Sequence, residues 1–260
     1  MAGGRVSSEA HGAIGWITFD HPARHNALSL GMMRDLCAAL DAHAQNQTVR
    51  VVILRGAGEK AFISGADISE FGSARANAEA AAAYGESSAR AWEALSRFEK
   101  PLIAMIAGYC IGGGLAVALK TDIRIATPDS QFAIPAARLG LAYTGQPVRD
   151  LVNAVGVSEA KAILFTAKRM GAEEALRLGL INEIVTRDVL EARVTALAES
   201  IAANAPLTVR AAKEAVNQIA QARPDAARME ALSALCFDSA DYAEGRKAFA
   251  EKRPPVFEGR

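Results

Sequence analysis

Residues 103–114 read Ile-Ala-Met-Ile-Ala-Gly-Tyr-Cys-Ile-Gly-Gly-Gly, and here the chain could bind a developing charge. An apolar run ends in three glycines, and Leu115-Ala116-Val117-Ala118-Leu119 follows as an apolar helix candidate. The pattern predicts a buried strand, a tight turn and the N-terminus of a buried helix. Helix N-termini present unpaired N–H groups and the positive end of the dipole. Glycine lets a ligand or another backbone come close. Together these suit an oxygen that turns negative, although glycines alone would equally make a packing turn. A second stretch, residues 61–71, reads Ala-Phe-Ile-Ser-Gly-Ala-Asp-Ile-Ser-Glu-Phe and follows the strand-like Val51-Val52-Ile53-Leu54. Its small turn leads into Asp67, a good helix N-cap. Two turns whose N–H groups converge on one charge are what an oxyanion hole requires.

These two segments, "AFISGADISEF" and "KPLIAMIAGYCIGGG", resemble the signature segments of the crotonase (enoyl-CoA hydratase/isomerase) superfamily. The resemblance runs over nearly the whole chain. It begins at Ile14-Gly15-Trp16-Ile17-Thr18-Phe19 and Pro22-Ala23-Arg24-His25-Asn26-Ala27-Leu28. It continues through Thr121-Asp122-Ile123-Arg124-Ile125-Ala126, Phe165-Thr166-Ala167 and Ala175-Leu176-Arg177-Leu178-Gly179-Leu180-Ile181-Asn182, and closes at Lys247-Ala248-Phe249-Ala250-Glu251-Lys252-Arg253-Pro254. The resemblance implies that the N–H groups of Ala66 and Gly113 hold the thioester carbonyl oxygen of an acyl-CoA. It also implies CoA contacts from residues 24–28 (Arg24, Ala27), from the backbone of residues 61–66 (Ala61, Ser64, Ala66), and from Phe249 and Lys252, often toward a neighbouring subunit. Lysine and arginine suit phosphate as point charge and fork. Arg24 and Lys252 also read as ordinary surface charges.

Hydratases of the superfamily place two glutamates around one water, a pair that needs suitable pKa values. The matching positions here are Ala116 and Ala136. Isomerases that keep only the second glutamate are disfavoured by the same Ala136. The aspartate that dienoyl-CoA isomerases, aryl-CoA dehalogenases and some acyl-CoA hydrolases place slightly later aligns with Thr144. Tyr143 remains, as in methylmalonyl-CoA decarboxylase-like members, some of which carry histidine where this chain has Ala66. Loss of CO2 from a malonyl-type thioester generates the enolate without a base, and a tyrosine hydroxyl can orient or donate. Tyr143 reads equally as a packed loop aromatic with a wet hydroxyl. Arg138 could face a substrate carboxylate but is more ordinarily a surface charge. Glu70 is the first suspect for any base, against the commonness of exposed glutamates.

Two function readings within the superfamily therefore stand level, enoyl-CoA hydration and malonyl-type decarboxylation through Tyr143. A non-catalytic acyl-CoA-binding protein is the rival from another class. No cofactor beyond the CoA moiety of the substrate is expected.

The chain has 260 residues, and its 29 basic and 29 acidic side chains balance. No field favours nucleic acid or an anionic membrane, and no apolar stretch is long enough to span a bilayer. Three widely spaced cysteines fit a reducing interior rather than disulfides, so a cytoplasmic protein is expected. The four histidines all fall in the first fifth of the chain, none at ligand spacing, so no metal site is expected.

The elements that must position these residues follow from periodicity. Residues 6–19 read as a hairpin broken at His11-Gly12, and Ser29 caps a helix over 30–43. Residues 50–54 form a buried strand. Residues 74–83 are alanine-rich, a helix or a lid, with Gly85 weakening continuity into a helix over 86–98. Strands over 122–126 and 130–134, a loop over 135–144, helices over 148–155, 158–165 and 172–178, and a strand over 181–185 follow. From Asp188 only helices are visible, over 188–203, 206–221, 225–237 and 239–251. The predicted fold is an α/β crotonase-type spiral of repeated ββα units. Residues 1–200 form the spiral core with the acyl-CoA site. Residues 201–260 form a C-terminal helical oligomerisation module, which the resemblance assigns to a homotrimer or homohexamer.

Overall fold

A computed structural model describes residues 4–67, 78–141, 143–220 and 225–260. The strands are β1 (Arg5–His11), β2 (Ile14–Asp20), β3 (Val51–Gly56), β4 (Ala61–Ile63), β5 (Leu102–Ile106), β6 (Tyr109–Ile111), β7 (Ile123–Ala126), β8 (Gln131–Ala133), β9 (Met170–Gly171) and β10 (Glu183–Ile184). A six-stranded sheet runs β1-β2-β3-β5-β7-β10 and a four-stranded sheet runs β4-β6-β8-β9. Pairing is parallel except for β1–β2 and β8–β9. Each turn of the spiral gives its first strand to the large sheet and its second to the small one: β3 then β4, β5 then β6, β7 then β8. Parallel strands buried on both faces read as continuous apolar runs, as in Val51-Val52-Ile53-Leu54, all fully buried.

The helices are α1 (Leu30–Gln45), α2 (Ala78–Arg97), α3 (Gly113–Leu119), α4 (Gln146–Thr166), α5 (Ala172–Arg177), α6 (Arg187–Ala202), α7 (Pro206–Ile219), α8 (Ala226–Phe237) and α9 (Ala240–Glu251). The N–H of Met32 donates to Ser29 Oγ at 3.2 Å, the predicted cap of α1. Leu190, Val194, Ala198 and Ala202 form one stripe of α6, four residues apart. That stripe covers Ile14, Trp16, Val51, Ile53, Ile103 and Ile125 on the outer face of the large sheet. The second core lies between the layers, around Phe19, Phe62, Phe132, Leu54 and Leu115.

The structure corrects two expectations. The apolar run from Ile103 is two strands in different sheets, separated at Ala107-Gly108. Gly108 is at φ +71, and a Cβ there would stand 2.1 Å from the carbonyl oxygen of Lys60, so the chain turns where no side chain fits. Gly85 does not interrupt its helix, because α2 continues from Ala78 to Arg97. The break at Gly156 (φ +78, ψ 167) falls between the two helices predicted over 148–165. The C-terminal helices lie where periodicity sets them. Among the described residues no helix is long and apolar enough to cross a membrane.

The β4 segment is gripped by bare backbone. A Cβ on Gly56 would come within 2.2 Å of Ala61 O, one on Gly108 within 2.1 Å of Lys60 O, and one on Gly114 within 2.1 Å of Ile63 O. These approaches hold the segment that leads into Ala66 against the turn that leads into α3.

Candidate active site

After β4 the chain meets the loop before α1. The N–H of Leu28 donates to Gly65 O (2.7 Å) and that of Asp67 to Leu28 O (2.8 Å), a parallel bridge centred on Ala66. In such a bridge the central residue's own N–H points away from its partner strand. On that far side stands the glycine turn. Gly112 is at φ 54, ψ −114, outside the regions open to ordinary side chains, and its N–H donates to Ala133 O (2.8 Å). Gly113 is the first residue of α3, so its N–H is one of the helix's orphan donors. A Cβ grafted onto Gly113 would lie 3.7 Å from the Ala66 nitrogen. Among the described residues neither N–H has a protein acceptor. Both belong to backbone fixed on either side, which is how preorganised donors avoid reorganisation.

The walls beside this pair are apolar. Ala116, one position short of a full turn along α3, is 3% exposed. Ala136 follows Pro135 in a short 3-10 turn (Pro135–Leu139), and the Pro135 ring would lie 3.8 Å from a Cβ on Gly112. Tyr143 packs half-buried against the core, but its hydroxyl is fully buried and has no acceptor among the described residues. The wet hydroxyl of the packing alternative is therefore not what the structure has. Burial, then the charge of Asp150 and the Cys110 thiol, push the Tyr143 pKa up, so the hydroxyl keeps its proton across any working pH. Arg138 is exposed.

A profile of the Enoyl-CoA hydratase/isomerase family matches residues 9–260. The chain belongs to that family, and so to the crotonase superfamily. The Short-chain-enoyl-CoA hydratase of Clostridium acetobutylicum is 34% identical over 250 residues, 95% of each chain. The Crotonyl-CoA hydratase of Syntrophomonas wolfei is 32% identical over 259 residues, 99% of each. A solved enoyl-CoA hydratase/carnithine racemase from Magnetospirillum magneticum aligns at TM-score 0.94 and 37% identity, covering 98% of this chain and 96% of that one.

The structure brings one group of this crotonase-family chain's predicted CoA residues together and leaves another apart. Arg24 O accepts from Ser64 Oγ (3.2 Å), and Arg24 Nη1 lies 3.1 Å from Asp67 Oδ1. Asp67 thus holds the Arg24 guanidinium; the residues it was expected to cap, with Glu70 and residues 74–77 of the alanine-rich stretch, lie outside the described residues. Ala27 and Ala61 are buried, at 8% and 3% exposure, so neither offers a side chain to a ligand. The Ala61 carbonyl accepts from Asn26 Nδ2 (2.8 Å). Phe249, 88% exposed, lines a groove with Asn204, Thr208, Tyr242 and Phe257, and none of these belongs to residues 24–28 or 61–66. Lys252 is the C-cap of α9, the helix that carries Phe249.

Two features escaped sequence reading. Asn26, 1% exposed and at φ +57, ties the loop to Ala57 O (3.0 Å) and Ala61 O (2.8 Å) and accepts from the His21 N–H (2.9 Å). Its signal was a polar residue inside a turn of small and basic ones. Lys120, at the C-cap of α3 four residues past Ala116, forms a largely shielded ion pair with Asp150 of α4 at 2.9 Å. A lysine ending an apolar helix was its only signal.

Proposed function

We propose that this crotonase-superfamily protein is an acyl-CoA enzyme that stabilises a thioester enolate between the N–H groups of Ala66 and Gly113. The observation that carries the reading is a pair of N–H groups, on two adjacent turns, that have no protein acceptor among the described residues. As charge moves onto the thioester oxygen, both donors strengthen their bonds to it. One donor of this kind is worth about 3–4 kcal/mol. Arg24 and the backbone around Ser64 sit at the approach to Ala66 and fit the CoA side of the substrate. Phe249 and Lys252 serve CoA from α9. Their outward placement suits a homotrimer or homohexamer in which they reach a neighbouring copy's site. The reaction takes place in the cytoplasm, with no cofactor beyond CoA itself.

The kinship with named hydratases supports hydration of an enoyl-CoA. Decarboxylation of a malonyl-type CoA is supported by the side chains at the customary acid/base positions: Ala116 and Ala136 have no transferable proton, and this reaction needs no base. In that reading departure of CO2 leaves its electron pair as the enolate, and the Tyr143 O–H supplies or orients the proton that goes to the alpha carbon.

A mass-spectrometric assay with crotonyl-CoA and methylmalonyl-CoA, run beside Gly113→Pro, tests both. Proline suits the first helical position and lacks the N–H. The variant is expected to fold, to bind CoA, and to lose at least about a hundredfold in turnover. Unchanged turnover in the folded variant rejects the enolate site. Gain of one water selects hydration, and loss of CO2 selects decarboxylation. Tight CoA-ester binding with no turnover across a broad panel of acyl-CoAs selects a non-catalytic binder.

A further inference from the structure

The end of the chain folds back on itself. Asp241, in the first turn of α9 and 3% exposed, accepts the N–H groups of Glu258 (2.7 Å) and Gly259 (2.9 Å). The N–H of Ala240 donates to Arg260 O at 2.8 Å. One turn along, Glu244 accepts from both terminal nitrogens of Arg253 (2.6 and 2.9 Å) and from the Val256 N–H (3.0 Å). From the core, Arg50 donates to Ala202 O at the end of α6 (3.0 Å) and to Phe257 O (2.6 Å). Residues 253–260 thus run along α9 and are pinned to the core by one guanidinium.

Lys252 stands at the reversal. It ends α9 in the left-handed region, φ 54 and ψ 38, where non-glycine residues are uncommon. The residue after it, Arg253, donates its N–H to Ala248 O (3.1 Å) and is the one Glu244 grips. The backbone of Lys252 is therefore fixed from both sides, by the last turn of α9 and by the clamped tail.

We propose that Glu244 and Asp241 are positioning residues for CoA binding: by folding the tail back along α9 they hold Lys252, and the turn that carries Phe249, in the geometry that meets the CoA nucleotide. This rests on the reading of Lys252 and Phe249 as CoA contacts. The physical reason is preorganisation. A lysine side chain already loses rotamer freedom when it meets a phosphate. Were its backbone also free, binding would have to order both, and affinity would fall. The clamp persists through the working pH range, because Arg253 first and the Val256 N–H next hold the Glu244 carboxyl down at about 2.

Titration calorimetry of the full-length protein with free coenzyme A, paired with steady-state kinetics, tests this. Glu244→Gln and Asp241→Asn are each expected to weaken CoA binding by about fivefold to tenfold. The Michaelis constant should rise by the same factor while kcat stays within about twofold, the pattern of lost uniform binding. In a Lys252→Met background Glu244→Gln should cost clearly less than in the parent, since much of the clamp's effect passes through Lys252 and only the Phe249 share remains. Wild-type CoA affinity in folded Glu244→Gln overturns the proposal. So does an undiminished loss in the Lys252→Met background, which would make the clamp a general fold contact. Wild-type affinity in Lys252→Met alone removes both this proposal and the nucleotide role of Lys252. Free coenzyme A carries no acyl group, so none of these outcomes depends on the enolate chemistry, which Gly113→Pro tests separately.

Discussion

At the scale of single residues, Tyr143 offers the sharpest division between stability and chemistry. A buried hydroxyl without an acceptor costs about 1–3 kcal/mol relative to a satisfied one. Tyr143→Phe removes that burden, so thermal denaturation should find the variant as stable as the parent or more so. If the hydroxyl serves the alpha carbon, turnover should nevertheless fall by about tenfold or more. A less stable variant would mean that the hydroxyl has a partner, and unchanged turnover would remove it from the chemistry. The positions of Ala116 after the glycine turn and of Ala136 after Pro135 were legible in the chain because local motifs fix their register. Lys120 and Asp150 were not, because thirty residues separate them and only the packing of α3 on α4 makes them a pair. Asn26 sits within a recognisable motif, yet its bonding of two carbonyls across the loop is a tertiary fact.

At the scale of elements, helices announced themselves and sheet membership did not. Period and caps set α1 and the C-terminal helices close to their observed bounds. The break between β5 and β6 was hidden, because strands buried on both faces show no alternation and Gly108 looks like any glycine in an apolar run. Gly85 misled in the other direction, since an interior glycine weakens a helix without ending it. The packing of α1 on the first hairpin carries a testable pH dependence. His43, 3% exposed, places Nε2 2.9 Å from Ser8 Oγ of β1, and Lys100 Nζ donates to its carbonyl oxygen (2.6 Å). Burial lowers its pKa below the ordinary 6.5, the Lys100 charge adds to this, and a hydrogen bond with the Trp16 backbone opposes it. The unfolded chain therefore binds the proton more readily. This contribution to stability is complete above 6.5 and is lost as the pH falls toward the lower folded value. Urea denaturation at a series of pH values between 8 and 5 should show the decline, and His43→Gln should flatten it. A wild-type profile identical to the variant's would remove His43 as its source.

At the scale of the whole molecule, the spiral explains why two sequence-distant turns share one site. Each turn climbs from the large sheet to the small one, so the segments leaving β4 and β6 end side by side. The order of motifs implied this architecture, but periodicity alone could not have paired the strands. The grip of Gly56, Gly108 and Gly114 on the carbonyls of the β4 segment then has a consequence for how the gene tolerates change. A saturation library scored separately for protein abundance and for turnover should separate these positions from Gly113. Any side chain at 56, 108 or 114 must displace backbone, so nearly every variant there should vanish from the abundant pool. Alanine at 113 meets its neighbours at 3.7 Å or more, so that variant should persist as protein, while on the proposed oxyanion reading its methyl would crowd the thioester oxygen and turnover should fall. Alanine at 113 that keeps full turnover, or alanine at 114 that accumulates normally, would break that division. If it holds, one glycine of three records selection for activity and its successor records selection for being folded at all.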